Sequence, residues 1–189
     1  MKRQSGRRAM SEAIRKAEGL TILGLITARG GSEGIPRKNL VTFAGQPLIS
    51  HTIEAGIESG VLDRLVVTTD DPEIAEISRA WGAETPFSRP AELSGGSVTS
   101  FPVIAHAVRW LEEQEEYVPD YVMVLQPTSP LRTAGDIRQV ASIGLEKRPD
   151  SVISVCESRQ HPLWMTKLSD EGRFIDFVPE ERELTRRQS

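Results

Sequence analysis

The sequence carries few of the features that direct a protein out of the cell or onto a membrane. It has one cysteine, Cys156, in 189 residues, which excludes an intrachain disulfide and a multi-cysteine metal site and fits a reducing compartment. No apolar run is long enough to cross a bilayer. The basic start at residues 1–19 lacks the apolar segment of a secretory signal. We therefore expect a cytoplasmic protein.

An excess of positive charge is also missing. The formal net charge is −4, with 38% hydrophobic and 26% charged residues, which is the composition of an ordinary globular protein. This balance gives no overall attraction to nucleic acid or to anionic lipid. We predict one main domain, no nucleic-acid or membrane partner, and a small molecule as the ligand of any local cluster of cations.

Two common phosphate-binding motifs are absent as well. Residues 21–39 read TILGLITARGGSEGIPRKN, an apolar run that stops at a loop of glycines and cations. This glycine loop matches neither GxxxxGK[ST] nor GxGxxG. Its glycines can take positive φ and bring amides close to an anion, and its cations add charge. The residues concerned are Gly30, Gly31, Gly34, Arg29, Arg37 and Lys38. The pattern predicts a polyphosphate site at the end of a buried strand.

Strands alternate with helices along most of the chain. Hydrophobic periodicity predicts strands at 21–27, 64–69, 83–87, 121–125 and 151–155, and helices at 47–59, 72–82, 100–116 and from 133. The alternation predicts an α/β fold, a doubly wound and mostly parallel Rossmann-like sheet. Apolar segments at 164–168 and 174–178 flank a polar loop and predict an appended β-hairpin.

Several polar residues outside the glycine loop have a simple structural explanation. Asp70 and Asp71 precede Pro72, so we interpret the pair as helix caps rather than ligands. The histidines His51 and His106 are interpreted as structural helix residues, since no nucleophile or metal-ligand partner lies at useful spacing.

Four blocks of sequence together resemble the CMP-sialic acid synthetases, also called acylneuraminate cytidylyltransferases. They are ARGGSEGIPRKN at 28–39, RPAEL at 89–93, QPTSPLR at 126–132, and HPL at 161–163 followed by RRQ at 186–188. Their order and approximate spacing are those of the family, and the resemblance covers nearly the whole chain after residue 20. It implies a fold of the nucleotide-diphospho-sugar transferase type in which the hairpin is a dimerisation element.

The resemblance implies an activity and a set of site residues. The reaction is transfer of CMP from CTP to an acidic nine-carbon sugar, such as sialic, legionaminic or pseudaminic acid, by a homodimer that uses Mg²⁺ with CTP. Catalysis is assigned to Arg29, Lys38 and Arg187. The implied nucleotide-binding residues are Ala28, Arg29, Gly30, Gly31, Ser32, Lys38, Asn39, Arg89, Val98 and Ser100. The implied sugar-binding residues are Gln126, Arg187 and Gln188. Without the resemblance, Gln126 is equally well read as a turn amide and residues 186–187 as a solvated basic tail.

The sequence departs from the family in two places. Gly96 stands where relatives carry an aspartate. Relatives also continue to a pair of magnesium-binding aspartates, whereas this sequence ends at Ser189, so no metal ligand is predicted within it. The predicted organisation is a basic extension at 1–19, a nucleotide-binding domain at 20–156, and an incomplete hairpin and sugar-contacting part at 157–189. We expect this chain to bind CTP with magnesium but to turn it over poorly.

Two alternatives remain open. The first is a sugar nucleotidyltransferase with a different base or sugar, because cytidine follows from the resemblance alone and not from any residue that displays base recognition. The second is a truncated nucleotide-binding module without catalytic activity. Assaying a panel of nucleoside triphosphates distinguishes the first alternative, and binding of CTP without turnover would select the second.

Overall fold

The computed structural model describes residues 19–32, 34–157, 166–171 and 173–176. Its strands are β1 (Ile22–Thr27), β2 (Thr42–Phe43), β3 (Gln46–Pro47), β4 (Arg64–Thr68), β5 (Tyr121–Val124), β6 (Thr166–Leu168) and β7 (Phe174–Asp176). Its α-helices are α1 (Leu48–Ser59), α2 (Pro72–Ala80), α3 (Ser100–Glu115) and α4 (Ala134–Lys147). Short 3-10 turns occur at Lys38–Leu40 and Ala91–Leu93. The chain divides into two compact units, Met1–Val152 and Ile153–Ser189.

A parallel sheet in the order β4-β1-β5 forms the centre of the first unit. Leu25 of β1 is paired with Val66 of β4 on one side and with Val124 of β5 on the other. The central strand is buried on both faces, and Leu23, Leu25 and Ile26 have no exposed surface. Burial on both faces explains why the apolar run of β1 is nearly continuous rather than alternating.

Helices cover both faces of this sheet. On one face, Ile26 of β1 belongs to a buried cluster with residues of α1, α2 and α4, among them Ile137 of α4. On the other face, Leu25 of β1 clusters with Leu111 of α3. Each fully buried Leu or Ile contributes about 1.5–3 kcal/mol relative to an exposed side chain. The predicted doubly wound, parallel α/β fold is confirmed.

The helix starts follow local capping signals. Asp71 caps α2, because its Oδ1 accepts the amides of Glu73 at 2.9 Å and Ile74 at 3.2 Å. Thr133 and Asp136 form a reciprocal capping box at the start of α4. These bonds satisfy amides that the first turn of a helix leaves without an intrahelical partner.

Two aspartate carboxylates also form hydrogen bonds at the beginning of the central strand. Asp63 Oδ2 accepts the amide of Ile22 at 2.7 Å. Asp120 Oδ2 accepts the amide of Thr21 at 2.7 Å and its hydroxyl at 2.9 Å. These contacts lie at the N-terminal end of the sheet, away from the edge at which ligands bind in α/β folds.

Both histidines that the structure describes in this unit have structural surroundings. His51 Nε2 is 2.8 Å from the carbonyl oxygen of Phe43, and its Nδ1 is 3.1 Å from Gln46 Nε2. His51 thereby ties α1 to the short β2–β3 hairpin. His106 of α3 is half-buried and contacts the ring of Phe87 edge-on, with centroids 5.2 Å apart. These surroundings fit structural helix residues, and the structural interpretation of both histidines stays a prediction.

Two of the predicted strands are wrong in extent. The segment 83–87 contributes one parallel bridge, between Glu84 and Val66, rather than a strand. The segment 151–155 forms no strand, and Ile153 and Val155 are 79% and 89% exposed. β-branched residues favour a strand only where a neighbouring strand and a packed face are available, and sequence propensity alone does not supply either.

The described part of the second unit contains the predicted hairpin. β6 and β7 pair antiparallel, with Leu168 opposite Phe174. The amide of Ser169 donates to the carbonyl of Arg173 at 2.9 Å across the connecting loop. The β-hairpin is confirmed, while its use in dimerisation stays a prediction. The aromatic residues Trp164 and Phe177, on which that prediction depends, lie outside the described residues.

Within the described residues, no helix combines the length and the apolar character needed to cross a membrane.

Candidate active site

The three parallel strands of the sheet end at one edge, and the chain leaves each of them through polar residues. Ala28 follows β1 and donates its amide to the carbonyl of Thr68 at 3.1 Å. Asp70 lies two residues beyond β4, and Gln126 lies two residues beyond β5. Ligands of open α/β sheets bind at the carboxyl ends of the strands, so this edge is the candidate site.

Asn39 stabilises the glycine loop after β1 through a hydrogen bond to its backbone. This side chain is 5% exposed, and its Nδ2 donates to the carbonyl oxygen of Arg29 at 3.0 Å. The amide of Ser32 donates to the carbonyl of Gly30 at 3.1 Å. Lys38 begins a 3-10 turn and is half-buried. The buried Asn39 side chain therefore fixes the backbone of the loop. The neighbouring Lys38 supplies a positive charge.

Positive φ in this loop is found at a residue that we did not predict. Gly30, Gly31 and Gly34 are not among the glycines with positive φ, whereas Arg37 has φ 51°. These glycines therefore do not use the positive φ that glycine permits. At Gly30 the reason for glycine is a close approach instead: an added Cβ would lie 2.8 Å from Asp71 Oδ2.

Arg37 is engaged by carboxylates. Its Nη2 lies 2.9 Å from Asp71 Oδ2 and 2.9 Å from Glu73 Oε2. Half of the arginine side chain is exposed, and exposed ion pairs contribute only about 0–1 kcal/mol. The two pairs link the glycine loop to the first turn of α2, so part of the positive charge predicted to face an anion is neutralised by the protein.

Asp70 has a different role from the one its sequence position indicated. Its Oδ1 accepts the amide of Gly30 at 3.0 Å, while the α2 cap is supplied by Asp71 alone. The interpretation of Asp70 as a cap is therefore wrong. Its place just past a parallel strand was a signal for a site residue, but the adjacent proline made the capping explanation simpler.

Arg89 brings a buried cation to the same edge. Its side chain is 6% exposed. Its Nε donates to Thr68 Oγ1 at 3.2 Å, its Nη2 donates to the Thr68 carbonyl, and its amide donates to the carbonyl of Thr69 at 2.8 Å. Burial lowers the pKa of the guanidinium, the Asp70 carboxylate raises that pKa, and the positive charge of Arg29 lowers it further. The charges of Asp70 and Arg29 therefore both act on the guanidinium of Arg89.

The third strand contributes Gln126, which is exposed. Its carbonyl oxygen accepts the amide of Ser129 at 3.3 Å and Arg132 Nη2 at 3.2 Å. Arg132 Nη1 is buried and has no hydrogen-bond partner in the part of the chain that the structure describes. Burial lowers the pKa of this guanidinium, and Asp136 raises it. The loop that presents Gln126 is thus fixed by a cation that we did not predict.

The remaining residues predicted to bind the substrates lie around the start of α3 and near the end of the sequence. Val98 is half-buried and donates its amide to the carbonyl of Gly95 at 3.2 Å. Ser100 is exposed and begins α3. Arg187 and Gln188 lie outside the described residues. The structure therefore brings together Ala28, Arg29, Gly30, Asn39 and Arg89, and leaves the predicted sugar-contacting arginine without a described position.

No group of three or more His, Cys, Asp or Glu side chains is arranged to hold a metal ion in residues 19–32, 34–157, 166–171 and 173–176.

The family model of cytidylyltransferases matches residues 23–163, which contain nearly all of the parallel sheet, the glycine loop, Arg89 and Gln126. The chain belongs to the cytidylyltransferase family. An N-acylneuraminate cytidylyltransferase of Streptococcus agalactiae serotype V is 38% identical to it over 156 residues, 82% of this chain and 36% of the relative. A pseudaminic acid cytidylyltransferase of Campylobacter jejuni serotype O:2 is 32% identical over 164 residues, 87% of this chain and 70% of the relative.

Solved structures agree with this assignment at the level of the fold. A CMP:2-keto-3-deoxy-manno-octonic acid synthetase in complex with CTP superposes with a TM-score of 0.53 at 23% identity, over 68% of this chain and 48% of that one. The cytidylyltransferase described here spans 36% of the length of the streptococcal relative.

Proposed function

We propose that this cytidylyltransferase transfers CMP from CTP to an acidic nine-carbon sugar and releases pyrophosphate. The observation that carries the proposal is the meeting of the glycine loop and the buried Arg89 at one edge of the sheet, through Thr68 and Asp70. The names of the relatives, which include enzymes for N-acylneuraminic and pseudaminic acid, support the class of sugar.

The glycine loop would hold the triphosphate of CTP. Gly31 is exposed and has no atom within 4 Å of an added Cβ, so the backbone there is open to a ligand. The cations Arg29 and Lys38 would offset the charge of the β- and γ-phosphates, as in other phosphoryl-transfer sites. Arg89, with Val98 and Ser100 farther along the chain, would contact the ribose or the cytosine.

The reaction needs position and charge more than covalent participation by the protein. A hydroxyl oxygen of the sugar attacks the α-phosphorus of CTP and forms the new phosphoester bond. The bond between the α-phosphorus and the bridging oxygen breaks, and pyrophosphate leaves with the electron pair. The proton of the hydroxyl passes to solvent. Arg29 and Lys38 stabilise the negative charge that accumulates on the departing pyrophosphate.

The acidic sugar would lie toward the end of β5. Gln126 supplies an amide that can donate to sugar hydroxyls, and its exposure fits contact with a second substrate. Arg187 and Gln188 are proposed to face the sugar carboxylate, since a guanidinium fork matches a carboxylate in geometry.

Three further properties belong to the same proposal. Mg²⁺ accompanies CTP and offsets triphosphate charge. The protein works in the cytoplasm, where its single cysteine stays reduced. It forms a homodimer through the region of the β6–β7 hairpin, because an isolated two-stranded hairpin is only marginally stable in water and a self-complementary patch closes most simply with twofold symmetry.

The test is pyrophosphate release from a panel of CTP, UTP, ATP and GTP, each with and without sialic acid, in the presence of magnesium. The proposal predicts release with CTP that depends on the sugar. Lys38→Ala should slow release about 10²–10³-fold, and the control Lys147→Ala, which removes an exposed lysine at the end of α4, should not. Equal or faster release with another nucleotide would support the alternative of a different sugar nucleotidyltransferase and contradict the cytidine assignment.

A further inference from the structure

We propose that Asp70 is a positioning residue that couples the glycine loop to Arg89, so that one carboxylate holds both parts of the nucleotide site. The effect on nucleotide binding rests on the proposed function, whereas the coupling between Asp70 and Arg89 is a property of the free protein. In the proposed mechanism Asp70 does not contact the substrate.

The first support is the link that Asp70 makes between two neighbouring strand ends. Gly30 follows β1 and Asp70 follows β4, and the amide of the one donates to Oδ1 of the other at 3.0 Å. Hydrogen bonds to an ionised carboxylate are shorter and stronger than those to neutral oxygens. This hydrogen bond therefore links the start of the glycine loop to the segment that follows β4.

The second support is the charge balance around Arg89. This guanidinium is 6% exposed, and the hydrogen bonds of its side chain go to the neutral hydroxyl and carbonyl of Thr68. Buried charges persist in proteins when an opposite charge compensates them. The amide of Arg89 donates at 2.8 Å to the carbonyl of Thr69, the residue before Asp70, and the negative charge of Asp70 raises the pKa of the Arg89 guanidinium while the charge of Arg29 lowers it.

The Asp70 carboxylate takes part in both interactions. Its removal therefore tests the proposal by the direction in which the affinity for CTP changes. Asp70 is an anion close to the proposed triphosphate loop, so simple repulsion predicts that its removal makes CTP bind more tightly. If Asp70 positions the loop and Arg89, its removal makes CTP bind more weakly. The two explanations are separated by the direction of the change alone.

The coupling can be measured without any ligand. We expect a double-mutant cycle of Asp70→Asn and Arg89→Met, followed by urea denaturation, to show an unfolding equilibrium constant that departs about 10-fold from the product of the single effects. Additive effects would overturn the proposed link between the two residues. If Arg89→Met does not fold, the binding measurements on Asp70 variants decide the proposal by themselves.

The second measurement is calorimetric titration of the protein with CTP and with cytidine. Asp70→Asn retains an acceptor for the Gly30 amide but removes the charge, and we expect about 10-fold weaker CTP binding. Asp70→Ala removes both and should weaken binding further. Cytidine, which carries no phosphate charge, should also bind Asp70→Asn less well, because Arg89 loses its counter-charge.

The matched control is Asp63→Asn. Asp63 also accepts an amide, that of Ile22 in β1 at 2.7 Å, but at the opposite end of the sheet. We expect this variant to bind CTP as the wild type does. CTP binding by Asp70→Asn that equals or exceeds the wild-type affinity would overturn the proposal. Wild-type protein that does not bind CTP would instead contradict the proposed function, and the double-mutant cycle would still decide the coupling.

Discussion

Gly30 is the position in the glycine loop where the structure tolerates no side chain. A Cβ added there would lie 2.8 Å from Asp71 Oδ2 and 3.0 Å from Asp71 Cβ. Asp71 cannot move freely, because it caps α2 and pairs with Arg37. We therefore expect Gly30→Ala to push Asp71 out of its place.

The cost can be worked from these contacts. Loss of a helix cap costs about 0.5–2 kcal/mol, and forcing a methyl group into a packed site costs about 1–3 kcal/mol. The exposed Arg37 pair adds at most about 1 kcal/mol. Against this, alanine restricts the unfolded chain and returns about 0.4–1 kcal/mol. Together these contributions predict that Gly30→Ala lowers the free energy of unfolding by roughly 0.5–5 kcal/mol.

Gly31→Ala is the matched control, since an added Cβ there has no atom within 4 Å. It should leave the free energy of unfolding unchanged or raise it by up to about 1 kcal/mol. Urea denaturation of both variants measures the difference. In an Asp71→Ala background, the cost of Gly30→Ala should fall. Equal stability of the two glycine variants, or an undiminished cost in that background, would refute the steric explanation.

Three other predictions concern the site, a helix cap and assembly. Lys38→Ala should reduce kcat/KM for CTP about 10²–10³-fold and change the free energy of unfolding by less than about 0.5 kcal/mol; a large loss of stability with unchanged activity per folded molecule would make Lys38 structural. Asp136→Asn should destabilise the protein by about 0.5–1 kcal/mol in urea denaturation above pH 4. The amide and then the hydroxyl of Thr133 lower the pKa of Asp136 below its usual 3.8, so the difference from wild type should vanish as pH falls through that lowered pKa, and a constant difference would contradict the capping box. Light scattering should give a dimer for the wild type and less dimer for Trp164→Glu; an unchanged mass for the variant would show that Trp164 is not needed for assembly.

The fold could be predicted because hydrophobic patterns and helix-capping residues, both local features of the sequence, indicate its strands and helices. The apolar run of β1 is continuous since both faces are buried, and Asp71-Pro72 and Thr133 mark helix starts by chemistry that needs no tertiary context. The segment 151–155 could not be predicted correctly, because its β-branched residues describe a preference that depends on a partner strand.

The candidate site could be predicted only in outline. The glycine loop and Arg89 were found from motifs, yet the motif did not reveal that Arg89 is buried or that Arg37 is paired with carboxylates. Asp70 was missed because two adjacent aspartates before a proline have the same appearance whether one or both serve as caps. Which of the two accepts the Gly30 amide depends on the packing of β4 beside β1, and that arrangement is tertiary.

The measurement that tests the central claim most directly is identification of the product. CTP, magnesium and the protein would be incubated with sialic, legionaminic or pseudaminic acid, and the mixture analysed by mass spectrometry together with the pyrophosphate released. The account predicts a CMP-linked acidic sugar in equal amount to pyrophosphate for at least one of the three acids. Pyrophosphate released with free CMP and no sugar conjugate, or CMP joined to a neutral sugar instead, would contradict it.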